Sequence, residues 1–176
     1  RSIHPSLGEN PEEMKILLAL APLTMIIGIG CNQNQDSFRV SSESVEVPPP
    51  DPRAKKMWKA NLPEAKTRAA KNGKLMFVDF TGSTWCPPCI ALHEHVLTQK
   101  EFLDYAEQNF ELVALDFPRD TSKAPKTLNE AALKYKVEGF PTIIVMEANG
   151  RELHRLVGFN YKNAKAYTAD LKKALG

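Results

Sequence analysis

From residue 54 to the end of the chain, the apolar side chains follow two distinct patterns. In residues 75–80 and 111–117 they form nearly continuous runs, which are typical of strands buried on both faces of a sheet. Elsewhere they recur at spacings of three and four residues, which predict amphipathic helices. The predicted helices cover residues 54–72, 89–109 with a break near Thr98, 127–135 and 164–175.

A third pattern, near the C-terminus, predicts a hairpin. Residues 142–147 and 151–157 have strand-like composition, and Asn149 and Gly150 between them favour a tight turn. The predicted order is therefore helix, a strand-helix-strand unit, helix, hairpin and helix. This order is typical of an α/β domain.

Residues 1–53 have a different character, which predicts export followed by a tether. An apolar run at residues 16–29 follows a lysine and ends in small residues just before Cys31, as in a secretory signal. Residues 31–53 are polar and rich in Ser and Pro, so they predict a flexible spacer. We therefore expect three parts: a signal in residues 1–30, a tether in 31–53 and a folded domain in 54–176.

Cys31 is the candidate for lipid attachment. Gly28 and Gly30 before it resemble the lipobox of bacterial lipoproteins, in which the signal is cleaved and the cysteine receives lipid. Lipidation would explain a thiol that has no partner if Cys86 and Cys89 bond to each other. Gly28 stands where lipoproteins usually have Leu or Val, so an uncleaved anchor and ordinary secretion remain alternatives. Lipidation predicts a domain tethered to a membrane outside the cytoplasm, in the periplasm.

The charge of the chain argues against nucleic-acid binding. Its 23 basic and 21 acidic residues give a net charge of +2, which is too small for the basic field that a phosphate backbone requires.

Three cysteines are also too few for a scaffold stapled by disulfides. Two of them, Cys86 and Cys89, form the one close pair in the sequence.

That pair, Cys86 and Cys89, lies in the segment Trp-Cys-Pro-Pro-Cys at residues 85–89, between a predicted buried strand and a predicted helix. Two cysteines with this spacing at a helix start can bring their sulfurs to bonding distance, with the first exposed and the second covered by the turn. The helix N-terminus favours the thiolate of Cys86, and the thiolate is the form that attacks disulfides.

Together with three further segments, this motif resembles the thioredoxin superfamily over residues 54–176. The segments are Val-Asp-Phe at 78–80, Gly-Phe-Pro-Thr at 139–142 and Asn-Gly at 149–150. Residues 80–83 and 115–119 look most like the exported bacterial branch of thioredoxin-like proteins. The resemblance implies a thioredoxin fold, with a central mixed four-stranded sheet flanked by helices and an extra helix at the N-terminus.

The resemblance also implies the catalytic roles. Cys86 is expected to be the attacking thiol, and Cys89 the resolving thiol that opens the mixed disulfide with the substrate. Asp79 is expected to be a buried carboxyl with a raised pKa that accepts the proton of Cys89, directly or through water. The alternative for Asp79 is a structural aspartate held by backbone donors.

Three further residues are expected to meet the substrate. The resemblance implies that Pro141 is a cis proline facing the two sulfurs and that the backbone of Phe140 pairs with a substrate strand. Trp85 is expected to pack beside the cysteines and shield them. The alternatives are an ordinary turn proline and a tryptophan that only fills the core.

These residues predict a thiol:disulfide oxidoreductase that acts on exported proteins without a cofactor. Pro87 and Pro88 lack N–H groups that could stabilise the Cys86 thiolate, so we expect a reductant or isomerase-like donor rather than a primary oxidant. Strain that rigid prolines impose on the disulfide ring would shift the potential in the opposite direction. The resemblance implies a membrane thiol reductase as its electron donor. The alternative function is a copper-delivery module using Cys86, Cys89 and His93. Because a solvated or packed His93 is simpler, no metal site is predicted.

Overall fold

A mixed sheet of four strands forms the centre of the domain in the computed structural model, which describes residues 46–176. The strands are β1 (Leu75–Thr81), β2 (Phe110–Asp116), β3 (Thr142–Met146) and β4 (Glu152–Val157), in the order β2-β1-β3-β4. β1 pairs parallel with β2 and antiparallel with β3, and β3 pairs antiparallel with β4. The predicted mixed four-stranded sheet is confirmed.

Helices pack on both faces of this sheet. Within residues 46–176 they are α1 (Ala54–Met57), α2 (Leu62–Asn72), α3 (Pro87–Leu92), α4 (Lys100–Asn109), α5 (Lys126–Lys134) and α6 (Ala164–Leu175). A π-helical turn, His93–Leu97, follows α3, and a 3₁₀ turn, Thr121–Lys123, precedes α5. None of the helices in this part of the chain has the length and apolar character needed to cross a lipid bilayer.

The two faces of the sheet bury separate hydrophobic clusters, which divide the side chains of β1 between them. Phe77 faces the cluster formed with α3, α4 and α6, and its ring lies 5.2 Å from that of Phe102. Val78 and Phe80 face the other cluster, formed with α2 and α5. β1 is therefore buried on both faces, as its continuous apolar run predicted.

The single helix predicted at residues 54–72 is wrong, because the structure forms α1 and α2 there. Between these helices Lys59 makes a parallel bridge with Val113 of β2. α2 then starts anew at Asn61, whose side chain accepts the N–H three residues further on, and Pro63 occupies its first turn. A capping Asn and an early proline favour a new helix start, although the apolar spacing continues through it.

The segment before α1 is attached to the end of the π-helical turn. The N–H of Asp51 donates to the carbonyl of Thr98 at 2.8 Å. The side-chain amide of Gln99 donates to the carbonyls of Pro48 and Glu94, at 3.0 and 2.7 Å. The helix break predicted near Thr98 is confirmed. The final residues of the predicted tether are bound to the domain, whereas its earlier part and the predicted signal lie outside the described residues.

Candidate active site

The two cysteines of the motif form a disulfide at the start of α3. Their sulfurs are 2.04 Å apart and their Cα atoms 5.2 Å apart. Cys86 is the N-cap residue of α3 and has an extended backbone, and Pro87 and Pro88 fill the first helical positions. Proline is well suited to these positions, because a helix has no internal acceptor for their N–H groups. The segment therefore folds locally into a helix start that holds both sulfurs together.

Both cysteines are buried in this disulfide form. Cys86 is 4% exposed and Cys89 is 2% exposed. The expectation of an exposed Cys86 is therefore wrong for the oxidised protein, because the bond holds its sulfur against the covered sulfur of Cys89.

The first turn of α3 leaves no N–H group free beside Cys86. Pro87 and Pro88 have none, and the N–H groups of Cys89 and Ile90 both donate to the carbonyl of Cys86, each at 3.0 Å. Free N–H groups at a helix start usually stabilise a thiolate, but here they are missing or already hydrogen-bonded.

The indole of Trp85 packs against the segments that follow β1 and β2 and against the loop before β3. Its Nε1–H donates to the carbonyl of Phe117 at 2.7 Å, and its ring meets the ring of Phe140 edge-on, with 5.8 Å between centroids. The indole also lies across Gly82, where an added Cβ would come within 2.5 Å of it. Trp85 is half-buried and links the redox turn to two other loops.

The loop before β3 carries the other predicted substrate contacts. The Phe140–Pro141 peptide bond is cis, and Pro141 is buried. The carbonyl of Pro141 accepts the N–H of Gly158 at 2.8 Å, which ties this loop to the end of β4. Within residues 46–176, the backbone of Phe140 makes no hydrogen bond to another backbone group. Its N–H and carbonyl are therefore not part of the hydrogen bonding of the sheet.

Asp79 is a buried carboxyl near the middle of β1. It follows Phe77 by two residues and so faces the same side of the sheet, which α3, α4 and α6 cover. It is 3% exposed, and its Oδ1 has no hydrogen-bond partner in the described part of the chain. Burial, with a further contribution from the negative charge of Asp116, raises the pKa of Asp79 to about 8. Within residues 46–176, no backbone donor hydrogen-bonds to its Oδ1.

Asp116 is a site residue that the sequence analysis did not predict. It ends β2 and is paired with Thr81 at the end of β1. Its carboxylate accepts the N–H of Ser83 at 2.8 Å and the hydroxyl of Ser83 at 2.6 Å, so it holds the chain that leads to the redox turn. Adjacent parallel strands end at the same edge of a sheet. The sequence signal for a site residue here was therefore the polar residue at the end of the second predicted strand.

The structure does not support the metal-delivery alternative. His93 is exposed and begins the π-helical turn, at the opposite end of α3 from Cys86. Within residues 46–176, no group of three or more His, Cys, Asp or Glu side chains is placed to hold a metal ion. The other predicted site, Cys31, lies outside the described residues.

Comparison with known proteins identifies the family. The family described as the thioredoxin-like domain matches residues 62–175, well over half of the 176 residues. The chain belongs to the thioredoxin-like family. Disulfide bond reductase DsbH of Chlamydia pneumoniae is 31% identical over 140 residues, which cover 78% of this chain and 83% of the relative. Thioredoxin H4 of Arabidopsis thaliana is 32% identical over 110 residues, 62% of this chain and 78% of the relative.

Solved structures of thioredoxin-like proteins agree. A structure of DsbH oxidoreductase aligns with a TM-score of 0.59 and 31% identity, over 67% of this chain and 83% of that one. The predicted thioredoxin fold is confirmed. This thioredoxin-like chain is a thiol:disulfide oxidoreductase, and Cys86 and Cys89 form its redox disulfide.

We predict that Gly82→Ala lowers the free energy of unfolding by about 1–3 kcal/mol, because the new methyl group displaces the Trp85 indole from the Phe117 carbonyl. Gly139→Ala is the matched control, since a Cβ at that position meets no atom within 4 Å. Denaturant unfolding of both variants measures the difference. Equal losses in the two variants would show that the contact between Gly82 and the indole does not hold Trp85 in place.

We predict that Asp79→Asn stabilises the oxidised protein more at pH 8 than at pH 4. The carboxyl titrates near pH 3.8 when unfolded and near pH 8 when folded. Between these values folding requires proton uptake, so the stability of the unmodified protein falls as pH rises. One pKa unit corresponds to about 1.4 kcal/mol. The free energy of unfolding of Asp79→Asn, relative to that of the unmodified protein, should therefore be higher at pH 8 than at pH 4 by more than about 1 kcal/mol. Denaturant unfolding at both pH values measures this difference, and an equal advantage at both would contradict it.

Proposed function

We propose that this oxidoreductase is an extracytoplasmic reductase of disulfides in exported proteins. The observation that carries the proposal is the first turn of α3, where no N–H group is free to stabilise a Cys86 thiolate. Strongly oxidising thiol:disulfide oxidoreductases depend on a well-stabilised thiolate, because the thiolate stabilises their reduced form. A less stabilised thiolate lowers the reduction potential, so the dithiol gives its electrons to other disulfides.

In the proposed reaction, the thiolate of Cys86 attacks one sulfur of the substrate disulfide. The substrate disulfide breaks, its other sulfur leaves as a thiolate, and a mixed disulfide with Cys86 forms. Cys89 then loses its proton and attacks Cys86, which releases the second substrate sulfur and forms the Cys86–Cys89 disulfide. Two electrons have passed from the protein to the substrate.

Asp79 is proposed to accept the Cys89 proton during the second step. It lies on the face of β1 covered by α3, the helix that carries Cys89. A carboxyl with a pKa of about 8 can gain and lose a proton close to neutral pH, whereas an ordinary aspartate stays ionised. The burial that makes Asp79 costly for stability therefore suits it to proton transfer.

The substrate is proposed to bind along the loop before β3. Free N–H and carbonyl groups on Phe140 can pair with an extended segment, in the manner of an added strand. Pro141 has no N–H to compete for that pairing, and Trp85 limits the approach from the side of Gly82. The attacked disulfide would then lie beside Cys86.

The proposed setting is the periplasm, with the domain held to a membrane by lipid on Cys31 and a tether that begins there. The similarity to a protein named disulfide bond reductase supports the direction of electron flow. A reductant in that compartment has to be reduced again, and a membrane thiol reductase is the proposed donor. The hydrogen bonds of Pro48 and Asp51 to the end of the π-helical turn support a tether that leaves the domain there.

Substitution of each cysteine by serine tests the proposed roles. With Cys86→Ser we expect no reduction of insulin disulfides by the protein, because the attacking sulfur is absent. With Cys89→Ser we expect a stable mixed disulfide between Cys86 and the substrate, visible by non-reducing electrophoresis and removed by dithiothreitol. Trapping by Cys86→Ser instead of Cys89→Ser would reverse the assigned roles, and full activity of either variant would overturn the proposal.

A further inference from the structure

Tyr167 is a tyrosine buried in the core of the domain, on α6. This helix starts at Asn163, whose side chain accepts the N–H of Ala166 at 3.0 Å. The buried residues of α6 recur at spacings of three and four, as expected for the face that packs on the sheet: Ala164, Tyr167, Thr168 and Leu171. Tyr167 is 2% exposed, and within residues 46–176 its Oη has no hydrogen-bond partner. Buried tyrosine hydroxyls normally have a partner, so this one indicates a polar site within the core.

Tyr167 and Asp79 lie on the same side of the sheet. The ring of Tyr167 lies 6.1 Å from that of Phe102, which lies 5.2 Å from that of Phe77. Asp79 follows Phe77 by two residues on β1 and so faces this same cluster. Burial raises the pKa of Tyr167 well above its ordinary value, and the negative charge of Asp79 raises it further. The hydroxyl of Tyr167 therefore stays protonated and can donate a hydrogen bond to an ionised Asp79.

In the oxidised protein, the other elements around Asp79 supply no donor to its Oδ1 within the described part of the chain. Its partners in the sheet are Ala114 of β2 and Ile143 of β3, which are both apolar. α3 contributes the sulfurs of the disulfide, α4 buries only apolar residues, and His93 at the far end of α3 is exposed. Asp116, two residues after Ala114, is a second carboxyl, and its negative charge raises the pKa of Asp79. A donor for the ionised carboxylate is therefore left to α6.

Two other hydroxyls lie near that of Tyr167. Thr168, the next residue on α6, has a buried Oγ1 that finds no partner in residues 46–176. A threonine in a helix can satisfy its hydroxyl on a carbonyl of the preceding turn, without another side chain. The ring of Tyr161 lies 4.9 Å from that of Tyr167, but burial and the charge of Asp170, which is exposed, raise the pKa of Tyr161. Of the two tyrosines, Tyr167 is the one on which the charge of Asp79 acts.

We propose that Tyr167 is a positioning residue of the redox reaction: its hydroxyl donates a hydrogen bond to the ionised Asp79 carboxylate, directly or through one bridging water. This inference rests on the proposed role of Asp79 as proton acceptor and adds the group that prepares it. A buried carboxylate is unfavourable without a donor. The hydroxyl therefore increases the fraction of Asp79 that is ionised and able to take a proton.

The contribution of Tyr167 belongs to the second step of the proposed reaction. In that step the S–H bond of Cys89 breaks, and its proton forms an O–H bond on Asp79. The Cys89 sulfur bonds to Cys86, and the substrate sulfur leaves as a thiolate. Tyr167 keeps its own proton throughout, because its pKa is higher than that of Asp79. Its hydroxyl thus determines how much of Asp79 is ready to accept a proton and takes no part in the transfer itself.

The direct test follows the titration of Asp79 in the oxidised protein, in which neither active-site thiol titrates. The carboxyl carbon is observed by NMR in protein with isotope-labelled aspartate, and Asp79→Asn identifies its signal. Tyr167→Phe removes one oxygen and keeps the aromatic ring. We expect this variant to raise the midpoint of the titration by about one pH unit, because a hydrogen bond stabilises a charged group by about that amount.

Two variants are matched controls for this titration. Tyr161→Phe removes a hydroxyl from the same aromatic cluster, and Thr168→Val removes the other unpartnered hydroxyl on α6. Each should move the midpoint by less than about a third of the shift expected for Tyr167→Phe. The inference is overturned if Tyr167→Phe leaves the midpoint unchanged or lowers it, or if Thr168→Val raises it by as much.

The reaction itself supplies a second readout. The reduced protein is mixed with an aromatic disulfide whose thiolate is coloured, so that Cys86 releases the first thiolate and Cys89 the second. At pH 7 we expect Tyr167→Phe to slow the second release by about tenfold and to leave the first nearly unchanged, with the deficit shrinking as the pH rises. No slowing, or equal slowing of both releases, would overturn the positioning role. If the unmodified protein releases neither thiolate, the proposed redox function fails, whereas the NMR titration still decides the contact between Tyr167 and Asp79.

Discussion

The placement of β1 at the centre of the sheet is the constraint on which the redox site depends. β1 is hydrogen-bonded to β2 along one edge and to β3 along the other, and both its faces are buried. The same strand carries Asp79 and ends just before Gly82 and the redox turn. Because no edge or face of β1 is open, the carboxyl of Asp79 is shielded from water and its pKa rises. A carboxyl that can exchange a proton near neutral pH is thus a consequence of the fold.

Three aromatic residues join the segments that β1 positions. Trp85 comes from the redox turn, Phe117 follows β2, and Phe140 precedes β3. Their contacts hold the redox turn against the cis-proline loop. The loop proposed to pair with substrate is therefore packed directly against the redox turn.

The sequence was sufficient for features encoded locally. Apolar runs located β1 and β2, and the spacing of Cys86 and Cys89 located the disulfide. It was insufficient where distant residues decide the outcome: the bridge from Lys59 to Val113 divides a predicted helix, and the contribution of Asp116 to the pKa of Asp79 requires the parallel register. The burial of Cys86 depends on the bond to Cys89 and on tertiary packing, neither of which residue spacing describes.

The proposed direction of electron flow is the central claim, and it depends on the absence of free N–H groups in the first turn of α3, which follows Cys86. The most direct test is the reduction potential of the Cys86–Cys89 couple, measured by equilibrating the protein with mixtures of reduced and oxidised glutathione and counting free thiols. A poorly stabilised thiolate predicts a potential below about −200 mV, in the range of reducing dithiols. A potential near about −120 mV, typical of a strong oxidant, would contradict the account.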